Sequence, residues 1–209
     1  MSQQDLGKCV ISALEQYFCD LDGEKPGAIY DMVLKSVEKP MLEVVLANEA
    51  PRAYVQRVTL LKLEAALARM KRRGLPLAPV LCSDTTVTFG KAILGKPDDA
   101  KHAAQILGTL SGQTHRVLTS VAMGTLSKSG KAQKTEQALS ISNVRFAPLT
   151  RSQIQAYVAS GEPMGKAGAY AVQGRAAAYI EHISGSYSGI MGLPMFETAQ
   201  LLREFGFKV

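Results

Sequence analysis

The sequence predicts an α/β fold, and three observations carry that expectation. Hydrophobic residues make up 46% of the chain and charged residues 20%, the balance of a globular protein and not of a disordered or fibrous one. Apolar residues recur at helical spacing in some stretches and as short continuous or alternating runs in others, so helices and strands interleave along the chain. Gly- and Pro-rich punctuation separates these stretches, as turns require. At 209 residues there is enough chain to bury a substantial core, in one domain or two.

Taken in order, residues 8–21 set Val10, Ile11, Leu14, Tyr17, Phe18 and Leu21 on one helical face, and Asp22 to Gly27 break it. Ile29, Val33, Val37, Met41, Leu42 and Val45 form a second stripe, with Pro40 set to kink it. At Glu49 the character changes. Pro51 suits a first helical position, and the spacing of Tyr54, Val58, Leu61, Ala65 and Ala68 predicts the inward face of a long helix ending at Gly74. Lys62 borders that face; its spacing fits an amine reaching toward a strand end and equally a solvated side chain.

The apolar run Pro79 to Cys82 reads as a buried strand stopping at Ser83-Asp84-Thr85, which would place an acid where ligands gather at strand ends. Thr86 to Phe89 and Ala92 to Leu94 form a hairpin about Gly90-Lys91, leading to Lys96 between Gly95 and Pro97. Asp98 is expected to cap a helix with Ala100, Ala103, Ala104 and Leu107 inward, closing near Gly112. Thr114 to Leu126 and Ala138 to Phe146 read as long strands. Thr150 and Gln153 make a capping box for a helix that Gly161 closes, and a last helix runs from Phe196 to Phe205. Two glycine-rich stretches, Gly165 to Gly174 and Gly185 to Pro194, suit either anion binding by backbone N–H groups or ordinary turns.

Charge is unevenly spread. Residues 1–48 carry four Lys/Arg against eight Asp/Glu, whereas residues 49–209 carry 20 against 10. A basic body suits a polyanionic partner such as a nucleotide. Cys9, Cys19 and Cys82 have no Cys-x-x-Cys spacing, which argues against a disulfide framework or a zinc site. His102, His115 and His182 are scattered and read as surface or hydrogen-bonded residues. Gly90-x-x-x-x-Gly95-Lys96 approaches a P-loop, but Pro97 occupies the Ser/Thr position and Ala92 to Leu94 looks like strand, so that reading is rejected. The apolar runs are too short for a transmembrane helix and there is no signal core, so the cytoplasm is the expected compartment.

Two resemblances add to this reading. Leu14-Glu15-Gln16-Tyr17-Phe18, Asp20 to Gly23, Ile29 to Val33 and Val37 to Leu46 resemble the N-terminal dimerisation region of the Fis family of nucleoid proteins, over residues 8–46. The basic helix-turn-helix of that family does not follow, so nucleic acid is not an expected partner. From about Glu49 the chain resembles the Maf family of nucleotide pyrophosphatases. The matching segments include Glu49-Ala50-Pro51, Asp84-Thr85-Thr86-Val87, Ile93 to Pro97, Leu110-Ser111-Gly112-x-Thr114-His115, Gly161-Glu162-Pro163, Lys166 to Tyr170, Gln173-Gly174 and Gly185 to Pro194. A two-part chain follows, with a Fis-like segment over 1–46 and a Maf-like domain over 47–209.

The Maf resemblance implies a twisted mixed sheet with flanking helices and a central cleft, and a homodimer. It also implies hydrolysis of nucleoside triphosphates to the monophosphate and pyrophosphate with a divalent cation, Mg²⁺ or Mn²⁺. On the matching positions it implies Asp84 as the catalytic acid and a metal ligand, Glu162 as a second metal ligand, Lys62, Lys96 and Lys166 on phosphates, and Thr85 and Gln173 in base choice. The Asp84-Thr85 pair is the pattern of the dTTP/UTP branch. The family's Ser-x-Ser-Pro-Arg-Arg phosphate loop has no counterpart in this sequence, so weakened hydrolysis is expected. The alternatives are a nucleotide-binding or dimerising module without turnover and, with half a Fis match behind it, a DNA-binding protein.

Overall fold

A computed structural model of the protein describes residues 49–127 and 129–209. The two N-terminal helices and the Fis-like segment expected over 8–46 lie outside the described residues. Ala50–Val209 form one compact unit.

The first helix, α1 (Pro51–Arg72), begins with proline at its N-terminus as expected, but it buries a different face. Val55, Thr59, Leu63, Leu67 and Met70 point inward, while Leu61 of the expected stripe is exposed. Apolar residues surround this helix, so spacing alone cannot select a side. The choice falls to a face carrying Thr59, whose hydroxyl is satisfied within the helix by donating to the Val55 carbonyl at 2.7 Å.

Strand β1 (Val80–Phe89) is one continuous ten-residue strand. The expected break at Ser83 does not occur: Asp84 sits in mid-strand, because β1 pairs without interruption with β3 (Thr114–Leu126) from Val80 to Thr88. Gly90-Lys91 then turn the chain into β2 (Ala92–Leu94), which occupies the place a P-loop would need. Helix α2 (Ala100–Leu110) is capped by Asp99 and not by Asp98. The Asp99 carboxylate accepts the His102 N–H at 2.7 Å, an arrangement worth about 1 kcal/mol, and Asp98 pairs with the His102 ring instead.

Strand β4 (Ala132–Phe146) starts six residues earlier than its apolar alternation suggested, since Gln133 to Gln137 are polar on both faces. Helix α3 (Arg151–Ala159) carries the expected capping box, with Thr150 and Gln153 satisfying each other's backbone N–H. Strand β5 (Ile180–Ser184) and the short α4 (Tyr187–Met191) were hidden inside or beside glycine-rich sequence, and α5 (Met195–Glu204) closes the fold.

The five strands lie in the order β2-β1-β3-β4-β5. The α/β class and the flanking helices agree with the Maf-like expectation. The pairing among the described strands is antiparallel throughout and not mixed, because β1–β2 and β3–β4 are hairpins and β5 returns beside β4. One face of the sheet takes α1, where Leu63, Leu67 and Met70 pack with Ala122, Val80 and Cys82. Each buried leucine there contributes about 2 kcal/mol. On the opposite face, Val87, Val117, Val144 and Phe146 share a core with Ala103, Ile106, Leu107 and Leu110 of α2. No helix among the described residues is long and apolar enough to cross a membrane.

Candidate active site

Side chains alternate along a strand, so neighbours on β1 serve different faces. Cys82 packs among the α1 residues on one side, and Asp84, two positions on, meets Lys62 of α1 as an ion pair. The Lys62 amine also lies 3.5 Å from the Ser83 carbonyl oxygen. With Lys62 about 50% exposed and Asp84 17% exposed, the pair contributes at most about 1 kcal/mol to stability, and its value is in holding a carboxylate at the cavity mouth. Burial pushes the Cys82 thiol pKa up, with the Lys62 charge only partly opposing it, so Cys82 is a poor nucleophile.

Ser83 and Thr85 point the other way, into a seam of hydroxyls beneath α4. The Ser83 hydroxyl donates to the Gly192 carbonyl at 2.6 Å, Thr119 donates to the Gly189 carbonyl at 2.7 Å, and Ser142 accepts the Ser186 N–H at 2.9 Å. Small side chains on the strands let the glycine-rich α4 turn come this close.

Between these two sides lies a cavity of about 280 Å³, close to the lower end of small-molecule sites. Lys62, Asp84, Thr85, Lys96, Lys166 and Gln173 all line it. Three lysines against one carboxylate leave this lining with an excess of two positive charges. Apart from Ser83, the rest of the wall is mostly apolar, from residues such as Val172, Ile190 and Met191, with Tyr170 also lining it. The cavity therefore combines cations suited to phosphates, apolar side chains suited to a flat base, and hydroxyl and amide groups able to hydrogen-bond.

Backbone contacts bring the lysines together. The Gly168 N–H donates to the Gly95 carbonyl at 3.0 Å, tying the Lys166 loop to the Lys96 turn. Gly168 has φ 70°, and a Cβ there would lie 2.8 Å from a Val87 methyl, so only glycine lets this loop rest on β1. The next residue, Ala169, holds φ 60° without being glycine, a strained conformation immediately before Tyr170. Tyr170 is fixed from below: its hydroxyl lies 2.8 Å from Nε2 of buried His115, and both rings stack edge-on with Phe146. Burial lowers the His115 pKa to about 4, so the imidazole is neutral at pH 7. Sequence spacing gave no sign of this support.

Glu162, expected as a metal ligand, does not line the cavity. One of its carboxylate oxygens accepts the Tyr157 hydroxyl at 2.8 Å and the other accepts the Arg175 N–H at 3.1 Å. Burial pushes its pKa up, but the N–H groups of Arg175 and Ala176 and the Tyr157 hydroxyl outweigh that and hold it below the ordinary value. Glu162 thus closes the base of the loop that carries Lys166, Tyr170 and Gln173. Gly174 is needed for this, since a Cβ would fall 2.2 Å from its carboxylate. Among the described residues no three His, Cys, Asp or Glu gather as a metal site. Among the described residues Asp84 is the one carboxylate on the cavity wall, which fits a hard cation that takes most of its ligands from phosphate oxygens and water.

Comparison with known proteins bears on the family of the chain. Residues 25–205 match the family described as Maf-like protein. A dTTP/UTP pyrophosphatase of Albidiferax ferrireducens is 63% identical over 185 residues, covering 88% of this chain and 90% of the relative. One from Polaromonas sp. is 63% identical over 168 residues, with 80% of each chain covered. One from Cupriavidus metallidurans is 57% identical over 182 residues, with 86% of this chain and 88% of the relative covered. A match over most of the chain, with relatives this similar along nearly their whole length, places this chain in the Maf-like protein family.

Proposed function

We propose that this protein hydrolyses dTTP and UTP to the monophosphate and pyrophosphate. The observation that carries the reading is the convergence of Lys62, Asp84, Lys96 and Lys166 with Thr85 and Gln173 on one cavity, in a chain resembling proteins named for that activity. Asp84 orients the attacking water and takes its proton as the oxygen bonds to phosphorus. The bridge to the leaving pyrophosphate breaks, and Lys96 and Lys166 offset the charge that develops on its oxygens. Lys62 holds the Asp84 carboxylate in place. Asp84, together with phosphate oxygens, would hold a divalent cation, Mg²⁺ or Mn²⁺, which would supply further charge neutralisation. Thr85 and Gln173 meet the base.

One observation favours a second reading, a nucleotide-binding module without turnover: no arginine among the described residues lines the cavity. Pyrophosphate release from dTTP and UTP with Mg²⁺ or Mn²⁺ separates the two. Turnover that Asp84→Asn abolishes supports the enzyme. Binding of UTP without release, indifferent to Asp84→Asn, supports the module. On the family resemblance we also read the working form as a cytoplasmic homodimer, with a Fis-like segment over 1–46 and a catalytic domain over 47–209. Sedimentation of the full chain beside one lacking residues 1–46 measures the contribution of that segment to the dimer.

A further inference from the structure

Thr85 and Thr119 stand directly opposite each other on β1 and β3, and their hydroxyl oxygens are 2.9 Å apart. Thr119 Oγ1 is also 2.7 Å from the Gly189 carbonyl oxygen. A carbonyl has no proton to give, so a contact that short requires the Thr119 proton between the two oxygens. A threonine hydroxyl has one proton. With that of Thr119 committed to Gly189, the contact between the two threonines can be made only by the proton of Thr85.

The direction is held firmly. Thr119 is 1% exposed, and α4 is anchored where Ser186 accepts the Gly189 N–H at 3.0 Å. The donors therefore run one way, from Thr85 to Thr119 to Gly189. Thr85 lines the cavity, but its proton is committed to Thr119, so toward a ligand it can only accept.

We propose that Thr119 is a positioning residue that makes Thr85 an obligate acceptor facing the base ring N3, so that the cavity selects among pyrimidines for a base whose ring N3 carries a proton. Uracil and thymine carry a ring N3–H. Cytosine presents a bare nitrogen lone pair at the same place, and two acceptors facing each other repel. A hydroxyl free to rotate would serve both bases; the relay removes that freedom. A site built to pair a particular donor rejects the analogue lacking it far more strongly than a shape match does. This inference rests on the nucleoside-triphosphate reading of the cavity given above.

The test compares kcat/KM for UTP and CTP in the wild type, Thr119→Val and Thr119→Ser. The wild type is expected to favour UTP by on the order of 100-fold or more. Thr119→Val keeps the shape and removes the relay, freeing the Thr85 hydroxyl to donate to cytosine. The UTP/CTP ratio is expected to fall at least about 10-fold, mainly through a lower KM for CTP. Thr119→Ser, which keeps the hydroxyl, is expected to retain the ratio.

An unchanged ratio in Thr119→Val, or equal loss in both variants, overturns the proposal. If Thr119→Val does not fold, the wild type and Thr119→Ser still decide it, because a wild type without preference for UTP, or a serine variant that loses the preference, overturns it. Equilibrium binding of UMP and CMP requires no turnover. Absence of hydrolysis with a clear UMP preference therefore counts against the proposed activity alone, and absence of that preference counts against the relay.

Discussion

The two sides of the cavity are built on opposite principles, although consecutive residues of β1 serve both. The charged part of the lining is Asp84 with the long, half-exposed side chain of Lys62, together with Lys96 and Lys166 on loops. Among the short side chains, Ser83 and Thr119 donate to the Gly192 and Gly189 carbonyl oxygens at α4, and Thr85 is held by the Thr119 hydroxyl. Charge acts at a distance and tolerates motion, so the groups proposed to hold phosphates can be assembled from flexible parts. Hydrogen-bond direction does not tolerate motion, so the groups proposed to read a base are built into the rigid interior. Substitutions on the first side should change rate with little effect on folding, and those on the second should change selectivity and stability together.

The largest expected effect breaks the charged side. Asp84→Asn keeps size and removes the proton acceptor, so pyrophosphate release should fall by about 10²–10⁴-fold. Urea unfolding should move by no more than about 1 kcal/mol, since the Lys62 partner is half exposed and solvent screens the pair. A loss of activity that came with unfolding would erase the distinction drawn above.

Acid should act on the interior side. The folded His115 pKa, about 4, lies below its ordinary value of 6.5. Between those values the unfolded chain binds a proton that the folded chain refuses, so stability should fall as the pH drops from about 6.5 to about 4. At 1.36 kcal/mol per pH unit the loss is on the order of 3 kcal/mol, and His115→Asn should flatten that window in pH-dependent urea unfolding. Glu162, whose carboxyl is held below its ordinary value, adds a further loss at lower pH as it protonates.

Gly168→Ala tests the joint between the two sides. Its Cβ would press on Val87 from a left-handed conformation, so about 2 kcal/mol of stability should be lost in thermal unfolding. KM should rise with it, because the Lys166 loop is displaced. The smallest effect belongs to Lys96→Met. Removing one exposed charge should raise KM for UTP by roughly 10-fold, less at high salt, with the fold unchanged.

Much of the candidate site could be read directly from the chain. Lys62, Asp84, Thr85, Lys96, Lys166 and Gln173 were each marked by a local pattern or by the family resemblance, and all line one cavity. Glu162 carried an equally clear motif yet sits outside the wall, because its two oxygens are taken by Tyr157 and Arg175. Ser83 and His115 were in view without a role, and Thr119 lay unmarked within a strand pattern. The one available signal was a polar residue, like His115 and Ser120, in a strand that buries mostly apolar ones, and that signal gains meaning only when Thr85 is placed across from it. The inward face of α1 lies one to two positions from the expected stripe and the cap of α2 one position from Asp98, since neighbouring residues offer similar chemistry.

Local chemistry decided the elements themselves. The Thr150–Gln153 box starts α3, Gly90-Lys91 turn β1 into β2, and apolar alternation extends β3 from Thr114 to Leu126. These depend on contacts within a few residues, which the sequence alone determines. The course of β1 past Ser83, the buried side of α1 and the hydrogen-bond direction through Thr85 each depend on a partner far along the chain. Thr119 lies 34 residues from Thr85 and Gly189 a further 70 from Thr119. A single hydroxyl proton can point toward any of several acceptors, and only the packed tertiary structure leaves it one.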